Sequence, residues 1–148
     1  MLTEEMQTII RNYTGGSVAS VNEDGTAAVS PKATFVVVDD TTIAYGDIRS
    51  PGTRRNIQAR PQVEVVFLDV LRRKAVRVRG EAEVVQKSDA DTAMKAAFDE
   101  VWADFLDGMS VFVRIKLTSA KLILSPAYDR GATEEELKRA NLEKLNKI

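Results

Sequence analysis

The sequence predicts an α+β domain, mainly antiparallel β, built as a barrel-like sheet with peripheral helices. Three observations point there. About seven short segments rich in β-branched residues are separated by turn chemistry. Only one connection between the early strands holds a helix, and a short one, so a βαβ winding does not fit. In the stretch Ala75 to Val85, Val76, Val78, Ala82 and Val84 alternate with Arg77, Arg79, Glu81 and Glu83, giving one dry and one wet face.

The elements follow in order. Thr3 is a helix N-cap, Glu4 and Glu5 suit the positive end of the dipole, and Met6, Ile9, Ile10 and Tyr13 share a face. Gly15-Gly16 stop that helix. Ser17 to Asn22 and Thr26 to Ser30 form a hairpin around Asn22-Glu23-Asp24-Gly25, where Gly25 is free to take positive φ. Thr34 to Val38 and Thr42 to Tyr45 flank the Asp39-Asp40-Thr41 turn. Ser50-Pro51-Gly52-Thr53 starts a short helix continuing over Arg54 to Ala59, and Pro61 marks its end. Strands are expected at Val63 to Asp69 and Ala75 to Val85, with Gly80 marking a bulge or bend. Ser88 and Asp91 open a longer helix with Ala90, Met94, Ala97, Phe98, Val101 and Phe105 on one side. Two closing strands, Ser110 to Leu117 and Ala120 to Leu124, are joined by a turn at Thr118-Ser119. Thr133 and Glu136 make a capping box for a last helix over 133–148. With no repeat and no linker, residues 1–148 read as one domain.

Composition excludes several functions. The chain has no cysteine and no histidine, so thiolate metal sites, disulfides and Ser-His-Asp or Cys-His nucleophiles are absent. Lys plus Arg number 21 against 22 Asp plus Glu, a formal charge of −1, which speaks against a general nucleic-acid surface. The longest apolar run, Phe35 to Val38, is far too short to cross a bilayer, and the acidic start Met1-Leu2-Thr3-Glu4-Glu5 lacks secretory features. A cytoplasmic protein without membrane contact is expected.

The chemistry concentrates between Ser30 and Asn56. Tyr45-Gly46-Asp47 ends a strand and leads through Ile48 and Arg49 into a helix start. The amides there point free donors outward, Gly52 allows close approach, Ser50 and Thr53 add hydroxyls, and Arg49, Arg54 and Arg55 add cations. The pattern reads as a phosphate cradle in which an arginine fork grips an anion; it also reads as an ordinary capping turn beside solvated arginines. It is neither a Walker loop nor a dinucleotide-binding glycine fingerprint. Ser30-Pro31-Lys32 interrupts a strand, leaving backbone groups and a lysine for a ligand, or else protecting a sheet edge. Leu71-Arg72-Arg73-Lys74 is a basic run, either a solvated loop or a reach toward a partner chain. Trp102 and Phe105 suit packing better than ring stacking.

Taken in series, Asp24-Gly25-Thr26, Val29-Ser30-Pro31, Ile43-Ala44-Tyr45-Gly46-Asp47, Ser50-Pro51-Gly52-Thr53-Arg54-Arg55-Asn56-Ile57, Arg60-Pro61-Gln62-Val63 and Val78-Arg79-Gly80-Glu81-Ala82 resemble the pyridoxamine 5′-phosphate oxidase-like family over roughly residues 5 to 125. The resemblance implies a split β-barrel and an FMN-binding homodimer with the cofactor at the subunit interface. It places the phosphate near Arg49, Ser50, Thr53, Arg54 and Asn56, and the isoalloxazine ring along Ser30, Pro31, Lys32 and Tyr45 to Asp47. It brings the region of Lys74 and Ala75 in from the partner, although Ala75 lacks the polar side chain common there. It further implies a flavin-dependent oxidoreductase for a small molecule, with a deazaflavin-dependent reductase and a non-enzymatic or stress-related flavin binder as alternatives on the same fold. The Arg-x-His segment of true pyridoxamine phosphate oxidases is missing, since the tail reads Ser125-Pro126-Ala127-Tyr128-Asp129. Oxidation of pyridoxamine phosphate is therefore not expected.

Overall fold

A computed structural model describes all 148 residues. Helix α1 (Glu4–Asn12) is followed by β1 (Gly16–Val21), β2 (Ala27–Lys32), β3 (Phe35–Asp39), β4 (Thr42–Asp47), α2 (Pro51–Ala59), β5 (Gln62–Asp69), β6 (Lys74–Val85), α3 (Thr92–Trp102), β7 (Val111–Leu124) and α4 (Glu134–Leu145). The strands form one antiparallel sheet in the order β2-β1-β5-β6-β7-β4-β3. No helix is long and apolar enough to cross a membrane.

The predicted helix starts rest on local chemistry. Thr3 Oγ1 accepts from Met6 N, Asp91 Oδ1 accepts from Met94 N, and Thr133 and Glu136 satisfy each other's backbone amides. Gly25 turns the first hairpin at φ 86°.

The sheet curls because its two halves share one core. Phe35 on the edge strand β3 meets Phe67 on β5 edge-on, with ring centroids 4.8 Å apart, and Tyr45 lies 5.1 Å from Phe35. Gly16 passes beneath them, where a Cβ would lie 2.8 Å from both phenylalanine rings. Helix α1 adds Met6, Ile9 and Ile10, and the segment before it adds Leu2, all buried in the same core. On the outer side of β3, β4 and β7, α3 adds a second core in which Phe98 stacks on Phe112 at 4.0 Å.

Two expectations change. The residues assigned to two closing strands form the single strand β7, and Thr118 is not a turn but the extra residue of a bulge. Arg79 pairs with Ser119 and Gly80 with Leu117, leaving Thr118 over, and its hydroxyl donates to Arg79 O at 3.2 Å. The expected helical stripe also ends early: Val101, in the last turn of α3, is already exposed, and only Met94 and Phe98 of the helix are buried. Beyond Trp102 the chain tightens into a 3₁₀ turn, Ala103–Gly108, which rotates Phe105 off the buried face. Trp102 is a packing residue, its Nε1 donating to Phe35 O at 3.2 Å on the free edge of β3.

The basic run sits in the β5–β6 turn, where Arg73 adopts φ 56°. Asp69, 2% exposed, orders this turn by accepting from Leu71 N at 3.0 Å and Arg72 N at 2.8 Å. Burial pushes the Asp69 carboxyl up, but those amides, the Tyr13 hydroxyl and the Arg72 charge outweigh it and hold its pKa below the ordinary value. A depressed folded-state pKa gives stability that is present above the unfolded carboxylate value, about 3.9, and is lost as the pH falls through the folded one. Urea midpoints measured from neutral pH down to pH 2 should therefore fall in acid, and less steeply for Asp69→Asn. Equal slopes would refute this role.

Candidate functional site

The end of β4 and the start of α2 meet at a buried carboxylate. Asp47 is 1% exposed, and Gly46 before it packs under Met109, whose Sδ would lie 2.0 Å from a Cβ at Gly46. Thr34 fixes the strand end, its hydroxyl accepting from Gly46 N at 3.0 Å and donating to Gly46 O at 2.6 Å.

Asp47 draws three donors inward. Ser50 Oγ donates to Oδ1 at 2.5 Å, and Arg54 donates to Oδ2 from Nε at 3.1 Å and from Nη2 at 2.8 Å. Ser50 thus occupies the N-cap position without capping, because its hydroxyl turns back to the carboxylate. A fourth element completes the corner. Ser110, just before β7, donates its amide at 2.9 Å and its hydroxyl at 3.0 Å to Asp47 O, and accepts from Arg54 Nη2 at 2.7 Å.

Outside this cluster lies an open groove of about 470 Å³ lined by Ile48, Arg49, Ser50, Arg54, Arg55 and Ser110 among others. Arg49 and Arg55 are exposed and join no ion pair, so their guanidinium forks are free. The one carboxylate among these contacts, Asp47, is matched by Arg54, and Ser50 and Pro51 at the start of α2 line the groove. Chemically the groove suits an oxyanion.

The expected ring-side residues divide by strand alternation. Ser30 and Lys32 pair with Val18 and Gly16 on the inner face of the sheet, whereas Pro31 pairs with Ser17 and is exposed on the outer face. Lys32 Nζ donates to Ser30 Oγ at 2.9 Å. Burial lowers the Lys32 pKa, and the charge of Asp47 partly offsets this. Tyr45 is buried beside the same carboxylate; desolvation first, and then the Asp47 charge, hold its phenol protonated far above neutral pH.

Asp47, Ser50 and Arg54 therefore meet at one corner, Arg49 lines the groove outside it, and Lys32 and Tyr45 do not line that groove. Thr53 is buried and does not line the groove. Asn56 turns to the end of β1, donating to Ser20 Oγ at 3.1 Å and Asn22 Oδ1 at 2.9 Å. Lys74 is buried at the β5–β6 turn in ion pairs with Glu5 and Glu134, with the Tyr128 ring 5.8 Å away. It stands apart from the cradle of its own chain. Ser110 carries no local motif, and the sequence gives no sign of its place here.

Curled antiparallel strands with helices at the rim define a split-barrel protein. The pyridoxamine 5′-phosphate oxidase family matches residues 2–123, and the chain belongs to it. That family includes flavin-binding oxidoreductases. HupZ of Group A Streptococcus is 26% identical with a TM-score of 0.71, over 84% of this chain and 96% of its own. A Lactobacillus delbrueckii protein named for the pyridoxamine 5′-phosphate oxidases is 27% identical with a TM-score of 0.65, over 81% and 93%. An F420 reductase shares the fold at 22% identity and a TM-score of 0.56, over 72% and 88%. No curated protein sequence matches the chain.

Proposed function

We propose that this chain is a homodimeric FMN-binding oxidoreductase acting on a small molecule, with the cofactor phosphate seated in the groove at the start of α2. One observation carries the reading: Arg49 and Arg55 keep their guanidinium groups unpaired beside the fixed Arg54, around a helix N-terminus. These donors fit a phosphate. A bound flavin would supply the electron and hydride transfer, and the chain would supply binding and charge. Arg49 and Arg55 grip the anion. Lys32, on the inner face of β2 and within reach of the Asp47 charge, holds a positive charge beside the expected ring position. The outer face of the sheet, where Val29, Val66 and Leu68 are exposed, is the surface a second copy would cover to bring its own β5–β6 turn toward this groove.

The test is an absorbance spectrum of the purified protein before and after FMN is added, paired with thermal denaturation. Bound flavin absorbance is expected. Ligand linkage predicts a gain of about 2.7 kcal/mol at a hundredfold excess of FMN over its dissociation constant. A deazaflavin spectrum would move the assignment to that cofactor. A colourless protein that gains no stability with FMN, deazaflavin or haem would overturn the flavin reading.

A further inference from the structure

Arginine has five N–H hydrogens, and three of those on Arg54 have partners inside the chain. Nε–H and one Nη2–H are held by Asp47 Oδ2, and the second Nη2–H by Ser110 Oγ. Both Nη1 hydrogens remain. The guanidinium is therefore clamped along one side, cannot rotate without breaking three hydrogen bonds, and lines the groove with a side chain 31% exposed. A clamped Arg54 has no two-nitrogen fork to offer. It presents Nη1 alone, while Arg49 and Arg55 retain full forks.

Ser110 occupies a particular place in this clamp. Its hydroxyl hydrogen goes to Asp47 O, which turns the oxygen lone pairs toward Arg54 Nη2. It is the one group outside the β4–α2 segment that fixes the arginine, and it reaches Asp47 from 63 residues along the chain.

We propose that Ser110 is a positioning residue for the anion groove: by holding Arg54 Nη2 it aims Nη1 at a bound phosphate oxygen, and together with Asp47 it preorganises the site. This rests on the phosphate reading of the groove given above. An arginine already fixed loses little freedom on binding, whereas a free one must be ordered by the ligand. Loss of one hydrogen bond to a charged group corresponds to about a tenfold weakening.

The experiment titrates full-length protein with FMN and, separately, with inorganic phosphate, for wild type, Ser110→Ala, Ser110→Thr, Arg49→Ala, Arg55→Ala, Arg54→Ala and the double variant Ser110→Ala with Arg54→Ala. Ser110→Ala should weaken binding of both probes about tenfold. Ser110→Thr keeps the hydroxyl and should restore most of it. In the Arg54→Ala background, Ser110→Ala should change nothing further, because the two act as one unit. An equal loss in both backgrounds, or no loss in Ser110→Ala while Arg49→Ala and Arg55→Ala bind more weakly, would overturn the positioning role and leave the phosphate reading standing. Wild type that binds neither probe would overturn both. Arginine side-chain NMR follows the clamp without a ligand: a slowly exchanging Arg54 Nε–H signal is expected in wild type, broadened in Ser110→Ala. Identical signals in the two proteins would also count against the proposal.

Discussion

Replacing Gly80 by alanine should lower stability more than any other single-methyl change in the sheet. Gly80 lies in the middle of β6, between Val63 on β5 and Leu117 on β7, at the bulge that bends the sheet. A Cβ there would stand 2.3 Å from Lys116 O and 2.9 Å from Ile115 Cγ2. The first of these is backbone of a neighbouring strand and cannot swing aside. The methyl group must either force β6 and β7 apart or flatten the bulge, and flattening it disturbs the register of every pair beyond it. A cost of about 3 kcal/mol follows, at the upper end for overpacking. In a domain of this size that lowers the melting temperature by roughly 10 °C. Gly15→Ala is the control, since nothing lies within 4 Å of its added methyl group and its φ is not positive. Paired urea and thermal melts decide the matter. Should Gly80→Ala melt within a degree or two of the control, the bulge does not depend on this glycine.

The same bulge shows how far the sequence could be read. Gly80 stands out because a glycine weakens a strand of alternating Val and Arg residues unless a bend or a close backbone approach requires it. The strand around it was clear from period two. On β7 the matching irregularity misled. The buried positions Val113, Ile115 and Leu117 are followed by Ala120 and Leu122, a slip of one residue in phase. A turn and a bulge both produce such a slip, and Thr118-Ser119 suits either. Only pairing with β6 separates them, and pairing is not local. Helix starts were legible for the opposite reason: Thr3, Asp91 and the Thr133–Glu136 box satisfy amides within three residues.

The candidate site divides in the same way. Its sequence-local half, from Asp47 to Arg55, was visible as a cluster of hydroxyls and cations at a helix start. The sequence did not reveal which donors point outward. Ser50 has the identity and place of a cap, yet a buried carboxylate three residues earlier accepts its hydrogen bond. Arg49, Arg54 and Arg55 read alike as cations in the sequence, yet Arg54 is engaged internally while Arg49 and Arg55 are exposed and without an ion pair. Ser110 was invisible because nothing in Gly108-Met109-Ser110 marks a contact with Asp47. The edge position of β2 was legible from Pro31, but its lysine faces the core side because alternation places Pro31 outward and Lys32 inward.

Arg54→Ala should destabilise the fold more than Asp47→Asn does, and the second change should rescue the first. The asymmetry follows from burial. Asp47 is 1% exposed in the intact fold, so removing Arg54 leaves a carboxylate set in a largely buried position with only the Ser50 hydroxyl as a side-chain partner. Leaving a buried charge without its partner costs about 3 kcal/mol or more. In Asp47→Asn the survivor is an arginine whose side chain is already 31% exposed and can turn into the groove and be hydrated. The amide oxygen still accepts one hydrogen bond, so a cost of about 1 kcal/mol is expected. In the double variant no charge is left behind, and stability should recover to near that of Asp47→Asn alone. Urea denaturation of the four proteins gives the coupling energy directly. Arg55→Ala, measured alongside, should leave stability unchanged within about 0.5 kcal/mol, as expected for an exposed residue without an ion pair, while weakening FMN and phosphate binding. Strictly additive costs for Arg54 and Asp47 would mean that the pair does not anchor this corner. The groove would then owe its shape to the strand end alone, held by Thr34 and Met109 rather than by charge.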